Sequence, residues 1–351
     1  MKNQDELELP GEGVPEEIVT KAKRILKLME NATSLSVVGE FLKTKQLHHS
    51  AGSWQDLEEK RILPALRSRE ITLEELNQLL GEGEEFGRCH IFLFAASKAD
   101  VARFINPDQI TKTCKRLGIE SVLSEVIVEE LPDEPKITQI RKEEAHGQCS
   151  WVFKIVEKRQ HRTFLAEHTE GDTYTKKYKV ESVRAVNTAK LHESGLLEIR
   201  IQSRANTDRH DADLTRALTM LRDFIPANKF TELHLRKVKA RLLDDRDALK
   251  DKIRFSHSTL KDNIGNTLIA SAGTTADDLF EGSGVGKSLD QFQKNGGFCD
   301  SSNIWFRKQE NSVQRDVHVL ISGRSNEFAI TASCSRSEYE YVLNELRAIN
   351  K

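Results

Sequence analysis

The sequence predicts an α+β fold in which a helical N-terminal domain is followed by a sheet-containing region with two helix-backed antiparallel halves. Apolar residues recur at helical spacing through the first third of the chain, and β-type alternation dominates afterwards. The stretches "LLEIRIQSR" and "EFAITASCSR" each look like a buried strand that runs through Ser-Arg into an amphipathic helix. This repetition indicates two sheet-then-helix units, produced by duplication or by independent packing of helices on strands.

The composition indicates a globular protein with a highly charged surface, because 38% of its 351 residues are hydrophobic and 31% are charged. No apolar run reaches the roughly 18 residues that a membrane-spanning helix needs, so we expect no membrane partner. Residues 1–17 are acidic and have no signal-peptide core, which predicts a flexible leader and an intracellular protein, cytoplasmic or, in a eukaryote, nuclear. Five separated cysteines form no CxxC pair, so neither a zinc site nor another cofactor is predicted.

The helical domain is predicted over residues 18–127. The apolar stretch "RCHIFLFAAS" within it is compatible with a buried strand or with the middle of a buried helix. Caps and breaks of the helices are predicted from residue type. They are N-caps at Ser53 and Thr72, a kink or end at Pro64, an end at Gly81, a start at Pro107 and an end at Gly118.

A linker is predicted at 128–136, where "VEELPDEPK" is acidic and contains two prolines. The first sheet half then occupies 137–228, with Asp211 or Asp213 capping its helix. The second half occupies 229–351 and begins with a long basic helix, "FTELHLRKVKARLLDDRDALKDKI". Its closing helix is predicted to be capped near Ser335 or Ser337.

Positive charge is concentrated in the middle of the chain. Residues 150–254 contain 23 Lys and Arg against 16 Asp and Glu, whereas the whole chain has a net charge of −2. Three stretches carry this excess: "KRQHR" in a predicted turn, "YTKKYK" along a strand and "HLRKVKAR" on a helix. Lysine and arginine beside tyrosine suit phosphate contact together with base stacking. The predicted nucleic-acid-binding residues are Lys158, Arg159, Arg162, Lys176, Lys177, Lys179, Arg236, Lys237, Lys239 and Arg241.

The stretch "FEGSGVGKSLDQF" imitates a phosphate-binding loop through Gly282, Gly286, Lys287 and Ser288. A functional loop also needs a glycine at 281, a preceding apolar strand and a long following helix. Position 281 is instead a glutamate, and the preceding "TTADDLF" is polar and acidic. The stretch is therefore predicted to be a flexible, exposed loop that only resembles a nucleotide site.

Two further stretches contain residue types that occur in metal-dependent sites. Asp108 with Glu134 and Lys136 imitates a metal-dependent nuclease motif, but Asp108 starts a predicted helix and a proline separates the other two. The acidic stretch "TDRHDAD" could bind a divalent metal, although aspartates are also favoured at the start of the helix that follows. An enzyme, either a nuclease or a nucleotide hydrolase, therefore remains an alternative.

The segment "SLSVVGEFLKTKQLHHSAGSWQDLEEKRILPALRSREITLEELNQLL", with "RCHIFLFAASK" and "WVFKIVEK" after it, resembles the centromere protein N family over about residues 34–160. The resemblance implies a non-enzymatic DNA-binding and scaffold protein. Together with the basic middle region, it favours a protein that binds DNA or RNA and also a protein partner. A protein-interaction subunit without nucleic-acid contact is the remaining alternative.

Overall fold

The structure of this chain, a computed structural model, describes residues 14–124, 131–145, 147–204, 210–274, 276–281, 283–309 and 313–351. Contacts within the chain divide it into two units, Met1–Gly87 and Arg88–Lys351. The sequence placed the boundary later, at the linker 128–136. The difference arises because the segment that follows Gly87 is a strand of the large sheet and not part of the helical domain.

The first unit is helical, and its apolar stripes form one buried cluster around Leu42, Ile62 and Leu76. The hydroxyl of Ser53 accepts a hydrogen bond from the amide of Asp56 at 3.1 Å, and Thr72 forms a full capping box with Glu75. Both predicted N-caps are thus confirmed. The helices are α1 Glu16–Ala32, α2 Leu35–Thr44, α3 Trp54–Leu57, α4 Leu63–Arg67 and α5 Leu73–Phe86.

Two predicted helix ends in this unit are wrong. The helix does not end at Pro64, because a π-helical turn at Glu58–Ile62 joins α3 to α4 and accommodates the missing N–H group. Gly81 does not end α5, because the buried side chain of Phe86 continues the apolar stripe. The helix ends instead at Gly87, where a Cβ atom would lie 2.5 Å from a carbonyl oxygen.

The second unit contains one antiparallel sheet of eleven strands with helices packed on it, which confirms the predicted α+β class. Among the described ranges, no helix has both the length and the apolar character needed to cross a membrane. In chain order the elements are β1 Cys89–Ala95, α6 Lys98–Phe104, α7 Pro107–Leu117, β2 Lys136–Ala145, β3 Gln148–Glu170, β4 Thr173–His192, β5 Leu196–Gln202, α8 Asp211–Leu221, β6 Thr231–Glu232, α9 Arg236–Asp244, α10 Arg246–Leu249, β7 Ile253–Lys261, β8 Thr267–Ser271, α11 Ser283–Lys294, β9 Phe298–Phe306, β10 Val317–Ile321, β11 Glu327–Ile330 and α12 Arg336–Ile349.

Strand β1 lies at the centre of the sheet. It pairs antiparallel with β5 on one side and with β11 on the other, so the strand order is β2-β3-β4-β5-β1-β11-β10-β9-β7-β8. The ambiguous stretch "RCHIFLFAAS" is therefore a buried strand. The two predicted halves share one continuous sheet, with β1 between them.

Helices cover both faces of this sheet. Along β5, Ile199 and Ile201 belong to the apolar cluster that includes Leu214 of α8. The alternate residue Arg200 lies under the ring of Tyr339 in α12, with the guanidinium 4.2 Å from the ring centroid. Because successive strand residues face opposite sides, α8 and α12 lie on different faces.

The predicted long basic helix is wrong, because the chain from 229 to 253 forms only the short helices α9 and α10. Residues before them are extended and pair with β1, through Glu232 opposite Phe94 and through the amide of Leu233, which donates to the carbonyl of Leu93 at 3.0 Å. Backbone pairing with the sheet has replaced helical hydrogen bonds there.

The strand-to-helix joints lie where the sequence placed them, but their caps differ. At α12 the cap is Ser335, one of the two predicted residues, and it forms a capping box with Glu338. At α8, the residue in the cap position is His210, and it makes no side-chain cap bond. Neither Asp211 nor Asp213 caps this helix, because both carboxylates are engaged by arginines.

A buried carboxylate, Glu198, connects β5 with α12. It accepts hydrogen bonds from the hydroxyl of Tyr339, from the ring of His192 and, at 2.8 Å, from the guanidinium of Arg200. Burial opposes ionisation of this group, but the adjacent Arg200 charge and the hydrogen bonds outweigh it and hold the pKa of Glu198 far below its ordinary value. The polar side of the first half is thus stabilised by paired charges.

A half-buried carboxylate, Glu143 of β2, contacts Lys190 at 2.9 Å and Arg336 of α12 at 2.5 Å. Burial raises the pKa of Glu143, but the hydrogen bonds and charges of Lys190 and Arg141 lower it by more, so that the pKa is about 2. This ion pair ties the edge of the first half to the helix of the second.

Removing the hydroxyl of Tyr339 should destabilise the protein. We expect Tyr339→Phe to lower the free energy of unfolding by about 1.5–3 kcal/mol, because it removes a hydrogen bond to an ionised group. The control is Tyr341→Phe on the same helix, whose buried hydroxyl has no hydrogen-bond partner. This control should change the free energy by less than about 0.5 kcal/mol or raise it. Urea denaturation measures both, and equal losses would contradict the assigned role of Glu198.

Stability should also depend on pH through Glu143. Because its folded pKa is depressed to about 2, its contribution is present above the unfolded value, near 4.3, and is lost as the pH falls toward 2. Glu143→Gln should lower the free energy of unfolding at neutral pH by about 1–3 kcal/mol. The substituted protein should also lose less stability than the wild type between these pH values in urea titrations. An unchanged pH dependence would show that Glu143 is not ionised in this pair.

Candidate nucleic-acid interface

The hairpin of β3 and β4 extends beyond the rest of the sheet. Strand β2 pairs with β3 only as far as Val156, and β5 pairs with β4 only over residues 188–191. The hairpin itself continues to the pair Glu170–Thr173. We call residues 160–184 the arm. At about 3.3 Å per residue its strands reach about 35 Å beyond the paired sheet.

The arm is a two-stranded ribbon with apolar side chains in solvent. Every residue from 162 to 183 is exposed. Of the 12 large hydrophobic side chains that are exposed in the described part of the chain, half belong to the arm. Clustered exposed apolar residues are typical of a binding surface. They are Phe164, Leu165, Tyr174, Tyr178, Val180 and Val183.

The rings share one side of the ribbon. Phe164 is opposite Tyr178, and the two rings pack edge to face with their centroids 5.8 Å apart. On the same side the ammonium of Lys176 lies 5.3 Å from the ring centroid of Tyr174. We call this side the aromatic face, because alternation along the strands places these residues on it. It comprises Arg162, Phe164, Glu167, Thr169, Tyr174, Lys176, Tyr178 and Val180, and the hydroxyl of Tyr174 donates to the carboxylate of Glu167.

Charge is unevenly distributed along the arm. The arm contains five Lys and Arg and four Asp and Glu. Three of the acidic residues, Glu167, Glu170 and Asp172, lie near the tip. The strand from 174 to 184 carries four cations and one glutamate, Glu181, which pairs with Lys179 at 2.7 Å. The positive stripe therefore follows β4 along the middle of the arm.

Of the ten residues predicted to bind nucleic acid, four lie on the arm: Arg162, Lys176, Lys177 and Lys179. Lys158 lies at its base, 3.4 Å from Asp133. Arg159 is buried, donating to Glu157 at 2.7 Å and to the carbonyl of Gln202 at 2.7 Å. Its position in the ion-pair network leaves it no access to a ligand, so we exclude it from the interface.

The four residues on α9 have mainly local partners. Lys239 is buried, donating to the carbonyls of Asp300 at 2.6 Å and Gly323 at 3.3 Å, and burial lowers its pKa. Lys237 and Arg241 donate to the carbonyls of Lys351 and Ile349. These carbonyls lie at the C-terminal end of α12, where positive charge stabilises the helix. Arg236 is exposed. The positive charge of α9 therefore stabilises the end of a helix.

The structure changes the context of two predicted stretches. "KRQHR" is not a turn, because Lys158–Arg162 lies inside β3 and the hairpin turns at Gly171 and Asp172. Phe164 and Arg184 of the arm were not among the predicted binding residues. The sequence feature that could have indicated them is an alternation of apolar and polar residues that continues for the length of two strands, although no other described strand pairs with this part.

The stretch that imitates a phosphate loop is helical, so the predicted flexible loop from Glu281 to Lys287 is wrong. Helix α11 begins at Ser283, whereas Gly282 lies outside the described residues. Gly286 therefore lies within the helix, and the amides from Lys287 onward donate to carbonyls four residues back. The hydroxyl of Ser288 donates to the carbonyl of Gly284 at 3.1 Å. These groups serve the helix, whereas a phosphate loop needs them free to face the phosphates.

A cleft of about 400 Å³ lies between α10, β7 and the segment that precedes α11. Arg246, on its wall, forms a two-bond ion pair with Asp290 and lies 4.7 Å from the ring centroid of Phe280. Acidic side chains outnumber basic ones in the lining, which disfavours a polyphosphate ligand. They are Asp247, Asp251, Asp278 and Glu281, against Arg246, Lys250 and Arg307.

The metal and nuclease candidates are separated or already paired. Asp213 contacts Arg204 at 2.8 Å and Arg216 at 3.1 Å, and Asp208 lies outside the described residues. Asp108 lies in the first turn of α7, whereas Lys136 begins β2. Within the described ranges, no group of three or more His, Cys, Asp or Glu side chains is arranged to hold a metal ion.

No protein-family model matches this chain, and a comparison with curated protein sequences likewise gives no match. The case for a function therefore depends on the arm and on the residues that it presents.

The arm should be dispensable for folding. Replacing residues 161–181 by Asn-Gly, which closes a two-residue hairpin between Gln160 and Ser182, should change the free energy of unfolding by less than about 1 kcal/mol. The deleted residues 161–181 pair only with each other among the described strands, and all of them except His161 are exposed. Urea denaturation measures the change, and a loss of several kcal/mol would contradict an independent arm.

The control is a substitution at the buried base of the same hairpin. Arg159→Ala removes one of the two arginines that neutralise the buried carboxylate of Glu157, and leaves Asn187 and Arg216 as its partners. Removing one partner of a buried ion pair costs about 3–5 kcal/mol. We expect a large loss of stability here and a small one for the shortened arm.

Proposed function

We propose that this protein binds nucleic acid, DNA or RNA, through the arm, without acting as an enzyme. The observation that carries the proposal is the exposed ribbon on which lysines alternate with tyrosines over "YTKKYK". A surface of this kind offers charge neutralisation to phosphates and ring faces to bases. The resemblance of residues 34–160 to the centromere protein N family agrees with a DNA-binding and scaffold function.

The electrostatic part of the proposal depends on Lys176, Lys177 and Lys179. All three are exposed, and of these only Lys179 forms an ion pair within the arm, with Glu181. A surface pair of this kind contributes little, so a phosphate can replace the glutamate at small cost. The ribbon places all three ammonium groups within four residues of one strand, which concentrates the positive charge.

A protein partner is the second candidate ligand of the arm. Leu165, Val180 and Val183 are apolar and 61%, 53% and 37% exposed, and they offer nothing specific to phosphate or base. An isolated two-stranded ribbon is also only marginally stable in water, so a covering partner would stabilise it. A scaffold that holds nucleic acid and protein on one arm would use both kinds of residue.

Neutralising the three lysines together should weaken binding and reduce its dependence on salt. For Lys176→Ala, Lys177→Ala and Lys179→Ala combined, we expect the slope of log K against log salt to fall by roughly 0.7–0.9 for each lysine that contacts a phosphate, which is about 2–3 if both faces of the ribbon are used and less than about 1 if only the face of Lys176 is used. Fluorescence anisotropy of labelled oligonucleotides between about 50 and 200 mM salt measures this slope.

The matched control removes the same charge elsewhere, by Lys23→Ala, Lys27→Ala and Lys287→Ala, all at exposed positions. This control should keep the wild-type slope. Binding that is absent at low salt, or that both triple variants weaken equally, would refute the proposal. Wild-type affinity in the shortened-arm protein would refute it as well.

A further inference from the structure

We infer that the aromatic face of the arm stacks on unpaired bases, so that the ligand is single-stranded nucleic acid; this inference rests on the function proposed above. Phe164, Tyr174 and Tyr178 are 51%, 55% and 46% exposed on that face. A duplex hides the faces of its bases inside the stack, whereas a single strand offers them to protein side chains. The exposed rings can therefore stack on the base faces of a single strand, whereas an intact duplex offers them no free base face.

The order of residues along β4 supports this assignment. Tyr174, Lys176 and Tyr178 alternate ring, cation and ring on one face, about 7 Å apart in succession. Across the hairpin, Phe164 packs against Tyr178 at 5.8 Å and enlarges the apolar surface. Stacking rings interleaved with cations are what sequence-tolerant single-strand binding requires.

The distribution of acidic residues argues against insertion of the tip into a duplex groove. Glu167, Glu170 and Asp172 would then be the first side chains to approach the phosphates on both walls. Lys177 and Lys179 are on the opposite face from Lys176, so one flat contact cannot use all of them. A strand that lies along the aromatic face contacts the rings and Lys176 and avoids Glu170 and Asp172, whereas Glu167 on that face is engaged by the hydroxyl of Tyr174.

The first test changes the ligand and leaves the protein intact. Oligothymidine is compared with an abasic oligonucleotide of equal length, which keeps the phosphates and removes the bases. We expect the abasic oligonucleotide to bind at least about tenfold more weakly, because each lost stack is worth about that factor. A duplex of the same length should also bind more weakly than oligothymidine. Oligouridine, measured in parallel, separates ribose from deoxyribose, and whichever strand binds should show the same dependence on bases.

The second test changes the rings. Tyr178→Leu should weaken oligothymidine binding about tenfold and leave duplex binding unchanged, whereas Tyr178→Phe keeps the ring and the affinity. Tyr174→Leu tests a ring that does not pack on Phe164. Val180→Thr changes an exposed apolar residue without removing a ring and should bind like the wild type. Hydrogen exchange of the arm amides shows whether each variant keeps the ribbon.

The outcomes separate this inference from the proposed function. If the triple lysine variant weakens binding but abasic and base-bearing strands bind equally, the inference fails and the proposed function stands. If the ring variants weaken duplex and single-strand binding equally, the inference also fails. If Val180→Thr and Tyr178→Leu both abolish self-association of the protein in sedimentation without nucleic acid, the face belongs to a second copy of the chain and the inference is overturned.

Discussion

The backbone pairing of β1 with β5 and β11 is the constraint on which the rest of the second unit depends. These two ladders join halves that are separated by more than a hundred residues into one sheet. Once they are joined, helices pack on both faces of the sheet. The alternation of side chains along β5 then sends Ile199 toward α8 and Glu198 toward α12.

The charged side of the first half follows from this arrangement. Glu198 is buried and Glu143 is half-buried beneath or beside α12, where an unpaired charge would be costly. Glu198 is paired with Arg200 of its own strand, and Glu143 is paired with Lys190 of β4 and with Arg336 of α12. Ion pairs of this kind contribute less to net stability than to the choice of which helix packs where. Buried contacts also keep two predicted binding cations from the surface: Arg159 pairs with Glu157, and Lys239 donates to the carbonyls of Asp300 and Gly323.

The arm is the part of the sheet that the packing leaves uncovered. Strands β3 and β4 have 23 and 20 residues, whereas their neighbours β2 and β5 have 10 and 7. The excess length cannot join the core, so its side chains are in solvent whatever their polarity. Aromatic rings and lysines on such a ribbon are exposed to a ligand without any loss of core packing. For this reason we propose the arm as the binding region. The acidic tip and the basic middle then limit how that ligand can approach.

Local chemistry was sufficient to predict the α+β class, the caps at Ser53, Thr72 and Ser335, and the position of "YTKKYK" on a strand. Caps, periodicity and composition act over a few residues and can therefore be read locally. Local chemistry could not decide whether "RCHIFLFAAS" is a strand or a helix, that the 231–233 segment pairs with β1, or that Gly286 and Lys287 are helical, since these depend on partners distant in sequence. The candidate site was predictable only in part for the same reason. Lys176 and Arg159 are both cations in a strand, and only tertiary contacts with Glu157, Asn187 and Gln202 decide that Arg159 is buried whereas Lys176 is exposed.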